Sequence, residues 1–493
     1  MRDAGNSHRE PRPGFDLELS QECYLSTRDS AMDAVLTVTA GDWDTGSRLV
    51  PDAAQVVLVD CSGSMSVPPT KIAAARAATA AAIDALRDGA YFAVVAGTAT
   101  AQMKYPSAPP MARADARTKA EAKGITAGLV ASGGTAMGTW LTLARELLDE
   151  HPTAVRHALL LTDGKNREDA RHLDRVLAEC AGRFVCDARG IGTDWEPKEL
   201  RRIVEVLLGR ADAGRAESEL VEDFREITES VMGRVVPDVR IRVRLMPGTG
   251  LRFLRQVFPT GQDLTGQRIA LDEHTVEFST RSWGGQDSRD YHLCLAVEHE
   301  GRPKEEDIQV AVVELASVVA GTTDAQRSGV PLPVVVHWTE DMVRSSRVDP
   351  KVAHYSEQAE IDRAVTAGCD AYDDGRPDEA AEEWGRAVRL AAESGNAEIL
   401  ERMRRLVYIR DAAGGVVTIK PGLQPLDLRR AAVGSNLSTR GQASHEGTGR
   451  VPVPAGPDLT CPACGRVSPA GARYCACGQP LDERDTPDGG PRR

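Results

Sequence analysis

From Gln55 to about residue 232 the chain repeats one pattern: a short apolar run, then an amphipathic stretch of helical length. The runs are VVLVD (56–60), YFAVVAG (91–97), HALLLTD (157–163) and FVCDARGIG (184–192). A strand that is apolar on both sides must be covered on both faces, and parallel sheets achieve this with crossover helices. Helices are expected at 70–88, around 113–129, after the glycine pair 133–134, at 168–182, near 197–208 and over about 219–232. ATAQMKY (99–105) reads as a hairpin partner of the run before it. The pattern predicts a doubly wound, mostly parallel, Rossmann-like α/β sheet over residues 51–233.

The flanks carry a different period. FDLELS and AVLTVTA, within 15–50, read as two strands after a polar segment 1–14 expected to be disordered. Past Pro237, Val239, Ile241, Val243 and Leu245 alternate with Arg240, Arg242 and Arg244, the signature of a half-exposed strand. Further extended runs at 275–280, 290–298, 307–315 and 332–338 predict a small antiparallel β-sandwich over 234–345. The early strands have no core of their own and are expected to complete it, which inserts the α/β domain into the β-domain. Residues 355–412 read as helical, and Gly368, Gly375, Ala380, Trp384 and Ala387 resemble one tetratricopeptide helix pair. A single such pair cannot bury its own face, so it must dock on the rest of the chain or on a partner. Residues 432–458, rich in Gly, Ser, Thr and Pro, read as a flexible linker to a cysteine-bearing segment at 459–483.

Composition narrows the function classes. At 493 residues the chain exceeds what one hydrophobic core organises. A net charge of −13, with no concentrated basic face, argues against a nucleic-acid partner. The charged N-terminus lacks the apolar run of a signal peptide, and no stretch of about eighteen apolar residues is present to span a bilayer. The expected location is therefore cytoplasmic, with no membrane partner. Of ten cysteines, four crowd into the C-terminal segment and six are scattered, which fits reduced thiols and one metal cluster better than disulfides.

Three loops at the carboxyl ends of predicted strands carry hard oxygen donors. The first holds Asp60, Ser62 and Ser64 around Gly63, the second Thr135 after Gly133-Gly134, the third Asp163 in Thr-Asp-Gly. Taken alone, D-x-S-G-S also reads as a capped turn opening a helix. Three separated loops agreeing favours a ligand site, and a set without His or Cys suits Mg²⁺ or Mn²⁺ rather than Zn²⁺. The motifs resemble the metal-ion-dependent adhesion site of von Willebrand A domains. That resemblance covers about 55–232, and the whole chain resembles an actinobacterial family with an A domain embedded in β-structure and followed by helices. It implies that Ser62 and Ser64 bind the ion directly, while Asp60, Thr135 and Asp163 bind directly or through water. One position would stay open for an Asp or Glu carboxylate of a protein partner. Cys61, between these residues, reads either as a redox-sensing thiolate or as a buried inert thiol.

Cys461, Cys464, Cys475 and Cys477 form two close pairs, the ligand set of a structural, tetrahedral Zn²⁺ site. The arrangement resembles a zinc ribbon, except that its second pair is C-x-C where such ribbons carry C-x-x-C. Four thiolates leave no open position, so this zinc would not catalyse. The sequence contains no phosphate loop, no H-E-x-x-H and no kinase signature set. A metal-dependent binding scaffold is the reading that follows, with no enzymatic activity. The alternatives are a regulatory component of a bacterial stress or phosphosignalling assembly, and an enzyme with a dispersed active site; ribbon-bearing A-domain proteins resemble the former.

Overall fold

The computed structural model describes residues 14–41, 50–213, 219–318, 320–434, 438–440, 459–460, 462 and 467–468. The chain opens with β1 (Phe15–Gln21), β2 (Tyr24–Ser26) and β3 (Ala31–Ala40). It then enters the α/β domain through β4 (Ala53–Asp60), a short 3-10 turn Gly63–Ser66, and α1 (Thr70–Ala85). Next come β5 (Tyr91–Gly97), β6 (Ala101–Tyr105), β7 (Ala112–Arg113), α2 (Ala116–Ala127) and α3 (Met137–Asp149). β8 (Val155–Thr162), α4 (Ala170–Cys180), β9 (Val185–Gly190), α5 (Pro197–Val206), β10 (Ala211–Ala213) and α6 (Leu220–Met232) finish it.

The sheet order is β10-β9-β8-β4-β5-β6, with β7 also pairing β5. Pairs among β4, β5, β8, β9 and β10 are parallel, while β6 and β7 run antiparallel to β5. All eight residues of β4 are buried, as expected of a strand covered on both sides. One face packs on α3, α4 and α5 through Trp140, Leu173, Val176, Leu200 and Ile203. The other packs on α1, α2 and α6 through Ile72, Ala78, Ala122, Leu220 and Phe224. Burying each large aliphatic side chain contributes about 1.5–3 kcal/mol, so these two layers hold the domain together.

After α6 the chain returns to β-structure: β11 (Val239–Leu245), β12 (Thr249–Phe258), β13 (Gln262–Asp263), β14 (Ile269–Ala270), β15 (Thr275–Ser279), β16 (Ser288–Val297), β17 (Asp307–Val318) and β18 (Ala325–Thr339). One sheet has the order β1-β3-β16-β12-β13 and the other β14-β15-β11-β17-β18-β2. Leu36, Val38, Leu293 and Leu254 of the first share a core with Ile241, Val243, Val313 and Val336 of the second. Strands preceding the α/β domain thus pair with strands following it, and the α/β domain is an insertion. β12 was not expected from the sequence: register shifts at Leu251/Phe253 and Gln256/Phe258 break its period of two.

The C-terminal part holds α7 (Met342–Ser345), α8 (Pro350–Asp373), α9 (Pro377–Glu393), α10 (Ala397–Met403), β19 (Val407–Asp411), β20 (Val416–Ile419) and α11 (Pro425–Gly434). The expected helical stretch to 412 is corrected here, because β19 and β20 form an antiparallel hairpin. The β-branched and aromatic run Val407-Tyr408-Ile409 before Gly414-Gly415 favours that turn over continued helix. The expected linker start is corrected too, since Ala432 and Val433 are buried in α11. Gly368 seats Trp384: a Cβ at Gly368 would come within 2.4 Å of its ring. The helices dock on the rest of the chain. Arg201 of α5 donates to Thr366 Oγ1 (2.8 Å) and Ala432 O (3.2 Å), and Val433 joins the core of the α/β domain. Tyr355 and Val352 of α8 pack on Val35 of β3. Among the described residues no helix is long and apolar enough to cross a membrane. β21 (Leu459–Thr460) and β22 (Val467–Ser468) pair antiparallel. Cys461, Cys464, Cys475 and Cys477 lie outside the described residues, as do 1–13 and the linker span 441–458.

Candidate metal centre

The five oxygen-bearing residues lie at the carboxyl ends of β4 and β8 and in the loop before α3, where a parallel sheet places ligand sites. Asp60 ends β4 fully buried; its Oδ1 accepts from Ser62 N (2.7 Å) and its Oδ2 from the Thr162 hydroxyl (2.6 Å). The Ser62 and Ser64 hydroxyls lie 3.0 Å apart, and Ser64 donates to Asp163 Oδ1 (2.7 Å). Thr135 is 4% exposed. A Cβ built on Gly164 would stand 3.2 Å from Thr135 Oγ1, 3.5 Å from Ser64 Oγ and 3.8 Å from Asp60 Oδ2. Oxygens of the first and second loops therefore surround a small space kept open by a missing side chain in the third, and Ser64 ties Asp163 of that third loop to the group.

Backbone contacts lash the loops together. Gly63 N donates to Gly133 O (2.9 Å) and Ser132 N to Cys61 O (2.6 Å), joining the first loop to the second. Gly133 takes φ +85°, a conformation that costs glycine nothing. Arg167 N donates to Thr135 O (2.9 Å), joining the second to the third. The third loop also caps α3: Asn166 Oδ1 accepts from Met137 N (3.0 Å) and Glu168 Oε2 from Gly138 N (2.7 Å). These side chains satisfy helix-start N–H groups that would otherwise lack partners. The site is preorganised, with Ser64 at its exposed rim and the two carboxylates at its floor.

Two buried carboxylates side by side are electrostatically unfavourable without a cation. Burial pushes the Asp60 carboxyl above its ordinary range, hydrogen bonds from Thr162 and Ser62 pull it back incompletely, and Asp163 adds repulsion. One compensating charge is Lys71, in the first turn of α1, whose Nζ lies 2.8 Å from Asp163 Oδ2 and 3.2 Å from Asp194 Oδ2. Burial draws its ammonium down, but these two carboxylates outweigh that and hold it above the usual lysine range. Sequence reasoning missed Lys71 because a lysine opening an Ala-rich helix reads as solvent-facing. It missed Thr162, Asn166 and Glu168 because each acts across loops.

A donor set of two carboxylates and three hydroxyls around an open space fits a hard divalent cation. Among the described residues no group of three or more His, Cys, Asp or Glu is placed to hold a metal, so any ion here relies on the hydroxyls. Cys61 is buried and its thiol is pushed up to about 12, by burial first and then by Asp60, so the inert reading describes it. Cys180 and Cys186 are free, buried thiols. No hydrogen bond or ion pair among the described residues joins a histidine to the five oxygen residues; His157 instead pairs with Asp187 (2.9 Å).

Fold and site together define a von Willebrand factor type A domain, and the profile described as "von Willebrand factor type A domain" matches residues 54–213. The chain belongs to this family. It is 39% identical to a protein solved as "von Willebrand factor type A from Catenulispora acidiphila", with TM-score 0.79, covering 87% of this chain and 97% of that one. A second solved structure, the ArnB paralog VWA2 from Sulfolobus acidocaldarius, shares the fold at 13% identity and TM-score 0.50, covering 85% and 98% of the two chains. A comparison with curated proteins found no match.

Proposed function

We propose that this chain is a metal-dependent protein-binding scaffold without enzymatic activity, whose A domain grips an acidic residue of a partner. The observation that carries the reading is the gathering of Asp60, Ser64 and Thr135 oxygens around the space beside Gly164, with the Ser62 hydroxyl and the Asp163 carboxylate joined to them through Ser64. These residues would hold Mg²⁺ or Mn²⁺. A bound divalent ion supplies positive charge at an exposed rim, and a partner's Asp or Glu carboxylate would complete its shell. The protein's own part is geometric: three lashed loops hold the donors in place before any partner arrives.

The other modules fit an assembly role. Cys461, Cys464, Cys475 and Cys477 would bind a structural Zn²⁺, and the first pair falls in sequence between β21 and β22, which pair antiparallel. The α8–α9 pair, tetratricopeptide-like in its spacing, would act as a docked helical platform. The test is a pull-down with the full chain carrying Asp60→Ala or Asp163→Ala, with and without chelator. Both variants should stay folded and lose metal-dependent partners. Partner capture unchanged by either variant and by chelator would overturn the reading.

A further inference from the structure

At the opposite end of β8 from the metal loops, the α/β domain meets the β-sandwich across a cleft of about 230 Å³. Arg156 enters it from the start of β8, Arg183 from just before β9, Arg240 from β11, and Arg281 from the turn after β15. Asp238 is the one carboxylate among the lining residues. Four guanidiniums in one concavity repel one another and need anionic company.

The carboxylates in reach do not balance them. Arg240 donates to Asp238 Oδ2 (2.9 Å) and Glu277 Oε1 (3.0 Å), and Arg156 reaches Asp149 Oδ1 (3.3 Å). The other oxygen of Asp238 already accepts from the Ser279 hydroxyl and from Arg281 N. Arg281 has only a carbonyl, donating from Nη1 to Gly182 O (2.6 Å), while its buried Nε has no acceptor among the described residues. The exposed Arg183 guanidinium has neither a hydrogen bond nor an ion pair among the described residues. Arg183 is therefore left without an ion-pair partner among the described residues, and Arg281 has only the through-space attraction of an Asp238 that Arg240 already engages.

Backbone conformation adds an independent sign. Arg281 holds φ +65°, a left-handed geometry that long L side chains rarely adopt and that tends to be retained at functional positions. The turn is pinned there by Val239 N donating to Arg281 O (3.0 Å) and by Arg281 N on Asp238. The result presents a guanidinium at the seam between the two domains. Burial holds the Arg281 and Arg156 guanidiniums below their ordinary range; Asp238 and Asp149 respectively pull back against it incompletely, the neighbouring arginines add to it, and a bound anion would relieve the penalty.

We propose that this cleft is a binding site for a compact multivalent oxyanion, the phosphoryl group of a small molecule, gripped by Arg183 and Arg281 with Arg156 and Arg240 beside them. Guanidinium forks match phosphate oxygens two at a time, and the cleft's size suits one or two phosphoryl groups rather than an extended polymer. Because its walls come from both domains, occupancy also ties the inserted domain to the sandwich.

The test uses the full chain in chelator, so that the metal centre takes no part, at constant ionic strength. Inorganic phosphate, pyrophosphate and ADP are titrated by calorimetry, with chloride as the reference anion. Saturable binding of phosphate or pyrophosphate alone identifies a free oxyanion site; stronger binding of ADP identifies a nucleotide phosphate. Arg183→Gln, at an exposed and unpaired position, should fold normally and weaken binding at least about tenfold, or ~1.4 kcal/mol. Arg183→Lys should recover part of it. The proposal fails if none of the three ligands binds saturably by about 10 mM, or if Arg183→Gln binds like the unaltered chain.

Discussion

Gly164→Ala perturbs the metal centre with a single methyl group. On the present backbone the new Cβ lies 3.2 Å from Thr135 Oγ1, 3.5 Å from Ser64 Oγ and 3.8 Å from Asp60 Oδ2. Gly164 is not among the residues with positive φ, so alanine fits its backbone. The two longer contacts are ordinary van der Waals distances, and only Thr135 must give way by a few tenths of an ångström. The metal-free fold should lose at most about 1 kcal/mol, the low end for overpacking. For a cation the consequence is larger: Mg²⁺ needs about six oxygens at ~2.0–2.1 Å, and a methyl group among them donates nothing and displaces water. Affinity for Mg²⁺ and Mn²⁺ should fall at least about 100-fold, or ~2.8 kcal/mol. Calorimetric titration with Mn²⁺, beside a thermal melt in chelator, separates binding from folding. Gly134→Ala is the control, since its Cβ meets only Ala99 Cβ at 3.8 Å. It should leave affinity within about twofold. If Gly164→Ala bound Mn²⁺ as tightly as the parent, the space beside Gly164 would not be the metal centre.

Lys71→Met removes the cation that faces Asp163 across 2.8 Å. Metal-free stability should drop by about 3–5 kcal/mol, as when one partner of a buried pair is lost. Mg²⁺ affinity should rise on the order of tenfold or more as a like charge disappears; weaker binding in a Mg²⁺ titration would instead make Lys71 a support for Asp163. Gly97→Ala would drive a Cβ to 2.3 Å from the fully buried Trp140 ring, a clash that backbone and indole cannot both relieve. Chemical denaturation should show a loss of at least about 3 kcal/mol, at the upper end for overpacking. Asp362 on α8 is raised to about 7 by burial, against weaker opposing pulls from Gln358, Arg201 and Arg402. Because its folded value lies above its ordinary value of 3.8, the linked stability is full below that value and lost as pH rises through about 7. Melts from pH 5 to 8 should show that decline, and Asp362→Asn should flatten it.

The metal centre was legible because its donors are local: each loop follows an apolar run, and hydroxyl and carboxylate letters at strand ends carry their chemistry in sequence order. The insertion was legible for a related reason: β1 and β3 pair with each other but have no nearby segment to complete a core, and β3's other partner, β16, lies beyond the α/β domain. What escaped was chemistry made by distant segments. Lys71 meets Asp163 across 92 positions, and the caps from Asn166 and Glu168 reach back to α3. β12 escaped because two bulges erase the alternation that marks a strand.

The arginine cleft is the extreme of this contrast. Its four guanidiniums come from Arg156, Arg183, Arg240 and Arg281, on four separate segments, and no window of sequence contains two of them in a binding pattern. Arg240 alone was noticed, as one of three arginines on a half-exposed strand face. The topology brings the four together. An inserted domain must leave and re-enter its host near one place, and here the start of β4 and the end of α6 lie together at the amino ends of the parallel strands, where Arg87 donates to both Pro51 O and Met232 O. The sandwich therefore meets the sheet near the start of β8, beside Arg156, as Arg281 of the sandwich donating to Gly182 O ahead of β9 attests. The metal loops follow Thr162 at the other end of the same strand, roughly 20 Å away at ~3.3 Å per residue. Parallel-strand chemistry dictates where an ion would sit, and insertion dictates where the seam falls. Both ends of β8 are consequently sites of charge: oxygens converge at its carboxyl end and guanidiniums at its amino end.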